Sequence, residues 1–239
     1  MKTVAVIPAR LASTRLPRKM LREISGKPLV GWVYEAVRSS SFLSDVIIAT
    51  DSEEIMNACD RYGWKARMTS PNHRSGTERV HEVSNDLTAD VYLNVQGDEP
   101  LVRSEQIATL LDVMKDPLIE VGTLKTLCPA EEIGNPNAVK VVTEASGRAL
   151  YFSRATIPFD RDGSTPRYFK HLGLYAYRKS ALDFFMCQPE STLEKIERLE
   201  QLRFLENGVS IHVGETLYDS VGVDTEEDLQ RVATILRQR

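Results

Sequence analysis

Short apolar runs rich in β-branched residues alternate with helix-forming segments through the first hundred residues of the chain. TVAVIP (Thr3 to Pro8) and DVIIATD (Asp45 to Asp51) are each typical of a strand buried on both faces. VYLNVQGDEP contains another apolar strand, which ends in Gly97, Asp98 and Glu99. Trp64 to Met68 is a weaker candidate for a strand. Predicted helices separate the runs, the first from Pro28 to Arg38. This order predicts βαβ units around a parallel sheet, which binds ligands beyond the carboxyl ends of its strands.

The pattern changes from about residue 121. Three runs there are typical of strands in an antiparallel or mixed sheet: VGTLKTL, AVKVVTEASGRALYFSR and HLGLYAYR. EASGR, inside the second run, predicts a hairpin turn. Two helices are predicted to follow, Ser180 to Cys187 and Thr192 to Glu206. The simplest organisation is one domain, residues 1–239, with a mixed or antiparallel subregion at about 121–177.

Composition excludes several classes of protein. Hydrophobic residues make up 42% and charged residues 27% of the 239 residues, a balance that argues against disorder. The formal net charge of −4 lacks the basic excess of a nucleic-acid-binding surface. Cys59, Cys128 and Cys187 form no CxxC pair, which favours buried free thiols in a reducing compartment. No apolar run reaches membrane length, so we expect a soluble cytoplasmic protein without a membrane or nucleic-acid partner.

A basic loop follows the first predicted strand and reads PARLASTRLPRKML. It carries cations and hydroxyls suited to wrapping a polyphosphate: Arg10, Ser13, Thr14, Arg15, Arg18 and Lys19. The loop matches neither the P-loop pattern G-x-x-x-x-G-K-S/T nor the dinucleotide pattern G-x-G-x-x-G, so a nucleotide would be held by side chains more than by glycines. A solvated basic loop is the alternative, but the position at a strand end favours a phosphate site.

The loop and several later motifs together resemble the CMP-Kdo synthetases, in which Kdo is 3-deoxy-manno-octulosonate. The similarity runs in order through nearly the whole chain: PARLASTRLPRKML, GKPL, SGTER, NVQGDEP, NPNAVKVV, ALYFSRATIPFDRD, HLGLYAY, LEQLR and GVDTEEDL. The resemblance implies an α/β, Rossmann-like nucleotidyltransferase fold with a mainly parallel central sheet and a smaller antiparallel extension through which two chains form a homodimer. One departure lies beside the lysine of the loop, where the family usually has Gly and Pro and this chain has Arg18 and Met20.

The reaction implied by this resemblance joins CTP and Kdo to give CMP-Kdo and pyrophosphate, which activates Kdo for bacterial lipopolysaccharide. The anomeric hydroxyl would attack the α-phosphorus, and no G-x-S-x-G motif for a covalent nucleophile is present. Arg10 and Lys19 would stabilise the leaving pyrophosphate, which makes them catalytic together with Asp98. The nearest alternative is the same chemistry on 8-amino-Kdo or a sialic-acid-like sugar, and a more distant one is a non-catalytic nucleotide-binding regulator.

Two carboxylates are candidates for binding Mg²⁺, the cofactor expected with a nucleoside triphosphate. Asp98 ends a predicted strand in VQGDEP, and Asp224 in GVDT precedes the last predicted helix. From the residues alone, Asp98 could equally be a turn residue, and Asp224 or Thr225 a helix N-cap. The resemblance implies metal binding for both aspartates. Asp51 or Ser52 can cap the helix after the second predicted strand; Asp51 is interpreted here as that cap, and Glu99 as a structural neighbour.

The resemblance also places a set of polar residues around the nucleotide: His73, Arg74, Ser75 and Gln96. From the residues alone, SGTER predicts the start of a helix, with Ser75 or Thr77 as its N-cap. The two interpretations are compatible, because a helix N-terminus also attracts anions.

An acidic sugar needs a cation and several polar side chains in its pocket. The resemblance implies five such residues: Arg154, His171, Tyr175, Glu200 and Gln201. Without it, Tyr175 would be interpreted as a core residue, His171 as a structural histidine and Glu200 as a solvated charge. Arg154, which follows the apolar run ALYF, has the sequence context most typical of a pocket.

Overall fold

The computed structural model describes residues 1–13, 15–164 and 166–237. Its strands are β1 (Thr3–Ala9), β2 (Glu23–Ile24), β3 (Lys27–Pro28), β4 (Asp45–Thr50), β5 (Ala66–Met68), β6 (Val91–Asn94), β7 (Val121–Leu127), β8 (Lys140–Thr143), β9 (Ala149–Ser153), β10 (Phe169–Tyr177) and β11 (Ile211–Glu215). Its α-helices are α1 (Leu29–Arg38), α2 (Glu53–Tyr62), α3 (Gly76–Asp86), α4 (Ser104–Val113), α5 (Lys179–Cys187), α6 (Thr192–Glu197), α7 (Leu202–Glu206) and α8 (Glu226–Leu236). No helix in the described ranges is both long and apolar enough to span a bilayer. The chain forms two compact units, Met1–Ile107 with Ser220–Arg239, and Ala108–Asp219.

The first unit contains a parallel sheet with its strands hydrogen-bonded in the order β6-β1-β4-β5. In β1, Val4, Ala5, Val6 and Ile7 are each at most 2% exposed. A strand covered on both faces needs apolar residues at successive positions, which is why the run TVAVIP does not alternate. The parallel sheet predicted for this half of the chain is confirmed.

The N-cap of α2, the helix that follows β4, is one residue later than Asp51, the residue interpreted as the cap from the sequence. Ser52 is the N-cap of α2, and its side chain accepts a hydrogen bond from the Ile55 N–H. The interpretation of Asp51 as the N-cap is therefore wrong, because the residue directly before the first helical turn is Ser52. Asp51 instead forms an ion pair with Arg79 of α3 at 2.9 Å.

The N-caps of α3 and α8 are also hydroxyl residues. Ser75 accepts a hydrogen bond from the Glu78 N–H, as the motif SGTER predicts. Thr225 and Asp228 form a reciprocal capping box at the start of α8. Thr225, and not Asp224, is therefore the cap, and the Asp224 carboxylate is directed towards the basic loop.

The second unit contains a mixed sheet. β7 lies between β10, which is antiparallel to it, and β11, which is parallel, while β8 pairs in antiparallel fashion with β9 and β10. The hairpin predicted at EASGR is confirmed, because the Glu144 N–H donates to the Arg148 carbonyl oxygen at 2.8 Å across the turn. The strands predicted for residues 121–177 all belong to this unit. The single-domain organisation stays a prediction.

The long helix predicted from Thr192 to Glu206 is interrupted. α6 ends at Glu197; the next residue, Arg198, has a left-handed backbone (φ 55°, ψ 48°), and α7 begins only at Leu202. An L-residue in this conformation cannot continue a right-handed helix, so the prediction of one helix is wrong. The interruption leaves Glu200 and Gln201 in a bend between two short helices.

Candidate active site

The basic loop between β1 and β2 turns its lysine inward. Lys19 begins a short 3-10 helix, Lys19–Leu21, and is only 8% exposed. Arg10 and Arg15 are exposed and Ser13 is half-buried. Thr14, the other hydroxyl predicted to contact phosphate, lies outside the described residues. The loop therefore combines exposed guanidinium groups with one buried ammonium group.

Lys19 hydrogen-bonds both Asp98 and Asp224, the two carboxylates predicted to bind Mg²⁺. Its Nζ donates to Asp98 Oδ2 at 2.5 Å and to Asp224 Oδ1 at 3.0 Å. The backbone links the same two segments, because the Val223 N–H donates to the Asp98 carbonyl oxygen at 2.9 Å. Arg15 Nη2 lies 2.9 Å from the other oxygen of Asp224. Residues from the start, middle and end of the chain thus form one charged cluster in the first unit.

The protonation state of Lys19 is set by two opposing effects. Burial lowers the pKa of Lys19, whereas the charges and hydrogen bonds of Asp98 and Asp224 raise it. The carboxylates outweigh burial, and the pKa lies above its ordinary value. Lys19 is therefore a cation at physiological pH, and its charge is balanced inside the cluster.

The turn after β6 brings the backbone before Asp98 close to β1. A Cβ at Gly97 would lie 2.8 Å from the Pro8 carbonyl oxygen and 3.1 Å from Met20 Sδ. Only glycine fits this space without moving the end of the strand. Gln96 and Asp98, on either side of Gly97, are both half-buried. The close approach at Gly97 therefore determines where the Asp98 side chain begins.

The two departures from the family in the basic loop have different structural consequences. Arg18 has a left-handed backbone (φ 55°, ψ 34°), which glycine adopts at little cost and other residues rarely adopt. This explains a preference for glycine at the position. Here the Arg18 guanidinium forms an ion pair with Glu54 of α2, an anchor that glycine would lack. Met20 is 7% exposed, and its sulfur packs against Gly97.

The segment before α3, predicted to contact the nucleotide, is held by two glutamates of that helix. His73 Nε2 hydrogen-bonds to Glu82, and the Arg74 N–H donates to Glu78 Oε2 at 2.8 Å. Arg74 itself is exposed, and Ser75 begins the helix as its N-cap. The structure therefore places His73, Arg74 and Ser75 together at one helix N-terminus, whereas Gln96 lies in the turn after β6.

Sequence reasoning missed Glu82 and Arg79, which support this segment. Burial raises the pKa of Glu82, but hydrogen bonds, including one with His73, outweigh it and the pKa lies below its ordinary value. Arg79 is 3% exposed and donates to Asp51 Oδ2 at 2.9 Å. Glu82 could have been found from its spacing, because it lies four residues after Glu78 and therefore on the same face of the helix. Arg79 has no comparable local signal.

In the second unit, Arg154 follows β9 and is bonded to backbone oxygens. Its guanidinium donates to three carbonyl groups, those of Glu197 at 2.6 Å, Pro136 at 3.0 Å and Arg198 at 3.2 Å. Two of these carbonyls lie where α6 ends and have no helical partner there. Arg154 therefore stabilises the bend between α6 and α7, and its predicted contact with a sugar stays a prediction.

That bend also presents a buried polar group without a partner. Gln201 is 6% exposed, and no group among the described residues hydrogen-bonds to its Nε2. An unpaired buried donor is unfavourable unless something pairs with it, so this amide is suited to a ligand. Glu200, beside it, is half-buried.

His171 and Tyr175 of β10 form an aromatic pair with ring centroids 5.3 Å apart. Burial lowers the pKa of His171 to about 3. Burial also raises the pKa of Tyr175 well above its ordinary value, and the charges of Tyr177 and Glu200 add to this effect. Both side chains are therefore neutral at physiological pH and are suited to hydrogen-bonding hydroxyl groups.

The low pKa of His171 predicts an acid-sensitive fold. Since the unfolded state takes up this proton near pH 6.5 and the folded state only near pH 3, stability is complete above pH 6.5 and falls as the pH drops towards 3. As the pH falls from 6.5 towards 3, the free energy of unfolding of the wild type should fall by about 1.4 kcal/mol more per pH unit than that of His171→Phe, which has no imidazole to protonate. Urea titrations of both proteins at several pH values measure this difference, and parallel pH profiles would contradict it.

The chain is similar in sequence to known cytidylyltransferases. The sequence pattern described as cytidylyltransferase matches residues 4–211, which places the chain in that class of transferase. The chain is 64% identical over its full length to a 3-deoxy-manno-octulosonate cytidylyltransferase of Koribacter versatilis, covering 91% of that protein. It is 54% identical to the enzyme of the same name from Acidobacterium capsulatum, covering all of this chain and 98% of the relative. The chain therefore belongs to the 3-deoxy-manno-octulosonate cytidylyltransferase family.

A solved structure agrees with the same assignment. The fold matches CMP:2-keto-3-deoxy-manno-octonic acid synthetase, solved in complex with CTP, with a TM-score of 0.96 and 42% sequence identity. The match covers 100% of this chain and 99% of that one. The predicted fold class is confirmed at this level of similarity.

Proposed function

We propose that this chain transfers the cytidylyl group of CTP to Kdo and releases pyrophosphate, which activates Kdo for lipopolysaccharide. The observation that carries the proposal is the cluster in which Lys19 hydrogen-bonds both Asp98 and Asp224, beyond the carboxyl ends of the parallel strands. This is the position at which α/β sheets bind their ligands. The names of the relatives support CTP and Kdo as the substrates.

In this reaction the anomeric oxygen of the sugar bonds to the α-phosphorus while the bond from that phosphorus to the pyrophosphate oxygen breaks. Negative charge then increases on the pyrophosphate. Arg10, Arg15 and Lys19 supply positive charge on one loop. Lys19 is held between two carboxylates, and we propose that its ammonium group would turn to the leaving group when those carboxylates hold the metal. Catalysis is therefore proposed to come from positioning and charge neutralisation, without a covalent intermediate.

Mg²⁺ is the proposed cofactor, and the pair of carboxylates fits it. Asp98 and Asp224 provide hard oxygen ligands that already converge on one cationic atom, Lys19 Nζ. Among the described residues no three or more His, Cys, Asp or Glu side chains are grouped to hold a metal. Mg²⁺ needs no such group, since it commonly takes one or two carboxylates and completes its shell with water and substrate phosphates. When bound, it would neutralise phosphate charge and lower the pKa of the attacking hydroxyl.

The sugar is proposed to contact the second unit through Arg154, His171, Tyr175, Glu200 and Gln201. The unpaired Nε2 of Gln201 and the neutral rings of His171 and Tyr175 support a ligand rich in hydroxyl groups. 8-Amino-Kdo and sialic-acid-like sugars share this chemistry, and the names of the relatives favour Kdo. A non-catalytic regulator is less well supported, because it would not need both carboxylates beside Lys19.

We further propose that the enzyme acts in the cytoplasm as a homodimer. The described cysteines are all unpaired, which suits a reducing compartment. Cys59 and Cys128 are buried as predicted, whereas the prediction is wrong for Cys187, which is exposed at the end of α5. In the second unit the apolar side chains of Leu127, Leu150 and Phe159 are more than half exposed, which suits an interface between copies of the chain. Sedimentation equilibrium measures the mass in solution, and a monomer at enzyme concentrations used in assays would contradict the dimer.

The test of the proposed function is pyrophosphate release from CTP with Kdo, 8-amino-Kdo, N-acetylneuraminate or no sugar, each with and without a chelator. We expect release with Kdo that stops on chelation and resumes with added Mg²⁺. Release with another sugar alone would change the substrate but keep the mechanism. No release with any sugar would contradict the enzymatic function, and release unaffected by chelation would contradict the metal.

A further inference from the structure

The ladder between β7 and β10 contains a bulge next to the proposed sugar-binding residues. Leu172 pairs with Leu124, and the next pair is Tyr175 with Thr123. Two residues of β10 therefore lie between consecutive residues of β7. Bulges of this kind are frequent beside active sites, because they redirect the side chains on either side.

The bulge explains how His171 and Tyr175 come into contact. Residues four apart in a regular strand are separated by about 13 Å. The rings of these two residues are 5.3 Å apart between centroids, and Phe152 packs edge-on against the imidazole at 5.0 Å. Shortening of β10 by the bulge therefore places a histidine and a tyrosine side by side on one face of the sheet.

The Thr123 hydroxyl is bonded into this bulge. Its Oγ1 lies 2.9 Å from the Leu174 carbonyl oxygen, 3.2 Å from the Leu172 carbonyl oxygen and 3.0 Å from His171 Nε2. Thr123 is 0% exposed, so water cannot replace these contacts. A hydroxyl has one proton, and carbonyl oxygens only accept. If Thr123 donated to Nε2, both carbonyl oxygens would face the hydroxyl oxygen without a proton between them. If it donates to the nearer carbonyl, that of Leu174, its oxygen can also accept from Nε2. The second arrangement pairs more groups and places the imidazole proton on Nε2.

The other imidazole nitrogen is then an acceptor. With the proton on Nε2, His171 Nδ1 carries a lone pair, and no hydrogen bond reaches it from the described part of the chain. The residue is also partly exposed. We propose that Thr123 is a positioning residue for the sugar: its hydroxyl stabilises the bulge and holds His171 in the tautomer whose Nδ1 accepts a sugar hydroxyl. This inference rests on the proposed function and adds a residue to the proposed sugar site.

The first test compares three variants by steady-state kinetics with CTP and the acid sugar that the wild type uses. Thr123→Val keeps the shape of the side chain but removes the hydroxyl, and Thr123→Ser keeps the hydroxyl. Thr126→Val is the matched control, because Thr126 is also buried but points to the opposite face of β7. We expect Thr123→Val to raise the KM of the sugar about tenfold, as for the loss of one buried hydrogen bond, and to leave the KM of CTP within about twofold. Thr123→Ser and Thr126→Val should stay near the wild type.

An equal rise in both KM values, or the same rise in Thr126→Val, would show a general structural effect and overturn the proposal. So would an unchanged sugar KM in Thr123→Val.

The second test needs neither a variant nor a substrate. Two-bond ¹H–¹⁵N correlation spectra of the ligand-free wild type report which nitrogen of His171 is protonated. We expect the proton on Nε2, and a proton on Nδ1 would overturn the proposal even if Thr123→Val does not fold. If the wild type releases no pyrophosphate with any sugar, the proposed function fails, whereas this spectrum still decides the tautomer.

Discussion

Asp98→Asn is expected to lower kcat by about 100- to 1,000-fold, the effect of removing one preorganised electrostatic group from an active site. The substitution keeps the size of the side chain but removes the charge that binds Lys19 Nζ at 2.5 Å and that is proposed to bind Mg²⁺. Lys19 keeps its second contact, with Asp224 at 3.0 Å, so the loop should stay in place. Pyrophosphate release at saturating CTP and Kdo measures the effect, and circular dichroism checks that the fold is intact.

Glu226→Gln is the matched control for this prediction. It makes the same change, from carboxylate to amide, close to the cluster in sequence, and removes only the exposed ion pair between Glu226 and Arg22. We expect its kcat to stay within about twofold of the wild type, because exposed pairs contribute little. Near-normal turnover of Asp98→Asn in the presence of Mg²⁺ would remove Asp98 from the proposed mechanism.

Glu194→Gln is expected to lower the free energy of unfolding by about 3–5 kcal/mol, because it leaves a buried guanidinium without its counter-charge. The side chains of Glu194 and Arg203 are only 8% and 9% exposed. Their pairing is bidentate, with Arg203 Nε and Nη2 at 2.8 Å and 2.6 Å from the two carboxylate oxygens. Glutamine can still cap α6 from this position, so the loss should come from the charge and not from the helix start. Urea unfolding followed by circular dichroism measures it.

Asp183→Asn is the control for the buried pair. It removes the ion pair with Lys179 in the same unit, where both side chains are at least one-third exposed, and should change stability by at most about 0.5 kcal/mol. Replacing both buried partners together, as Glu194→Leu with Arg203→Met, should recover much of the loss because no charge then stays unpaired. A loss in Glu194→Gln no larger than in Asp183→Asn would contradict this account of the pair.

Much of the fold could be predicted from the chain because the relevant signals are local. TVAVIP is continuously apolar since β1 is covered on both faces, and EASGR closes its hairpin through bonds within five residues. SGTER likewise contains both the N-cap Ser75 and the residue whose N–H it binds. α4 was not predicted, although its segment carries the signal of an amphipathic helix: Ile107, Leu110, Leu111 and Met114 recur at i, i+3, i+4 and i+7 and are all buried.

The candidate site could be predicted only as a set of positions. The resemblance to a family identified Lys19, Asp98 and Asp224, but their contacts join residues 79 and 205 positions apart in the chain. No periodicity in the sequence encodes such a separation, because the contact depends on how strands and loops pack. The same limit hid Arg79, whose partner Asp51 lies 28 residues away.

The sequence by itself determined the order of strands and helices, the parallel arrangement of the first half and the chemical types of the site residues, because these depend on hydrophobic period, capping residues and motif order. Tertiary structure alone decided three further features. It paired Lys19 with two carboxylates, ended α6 just before Arg198 and put the bulge of β10 opposite Thr123. Each of these depends on a hydrogen bond or charge contact between distant segments, whose energy exists only once the chain has packed.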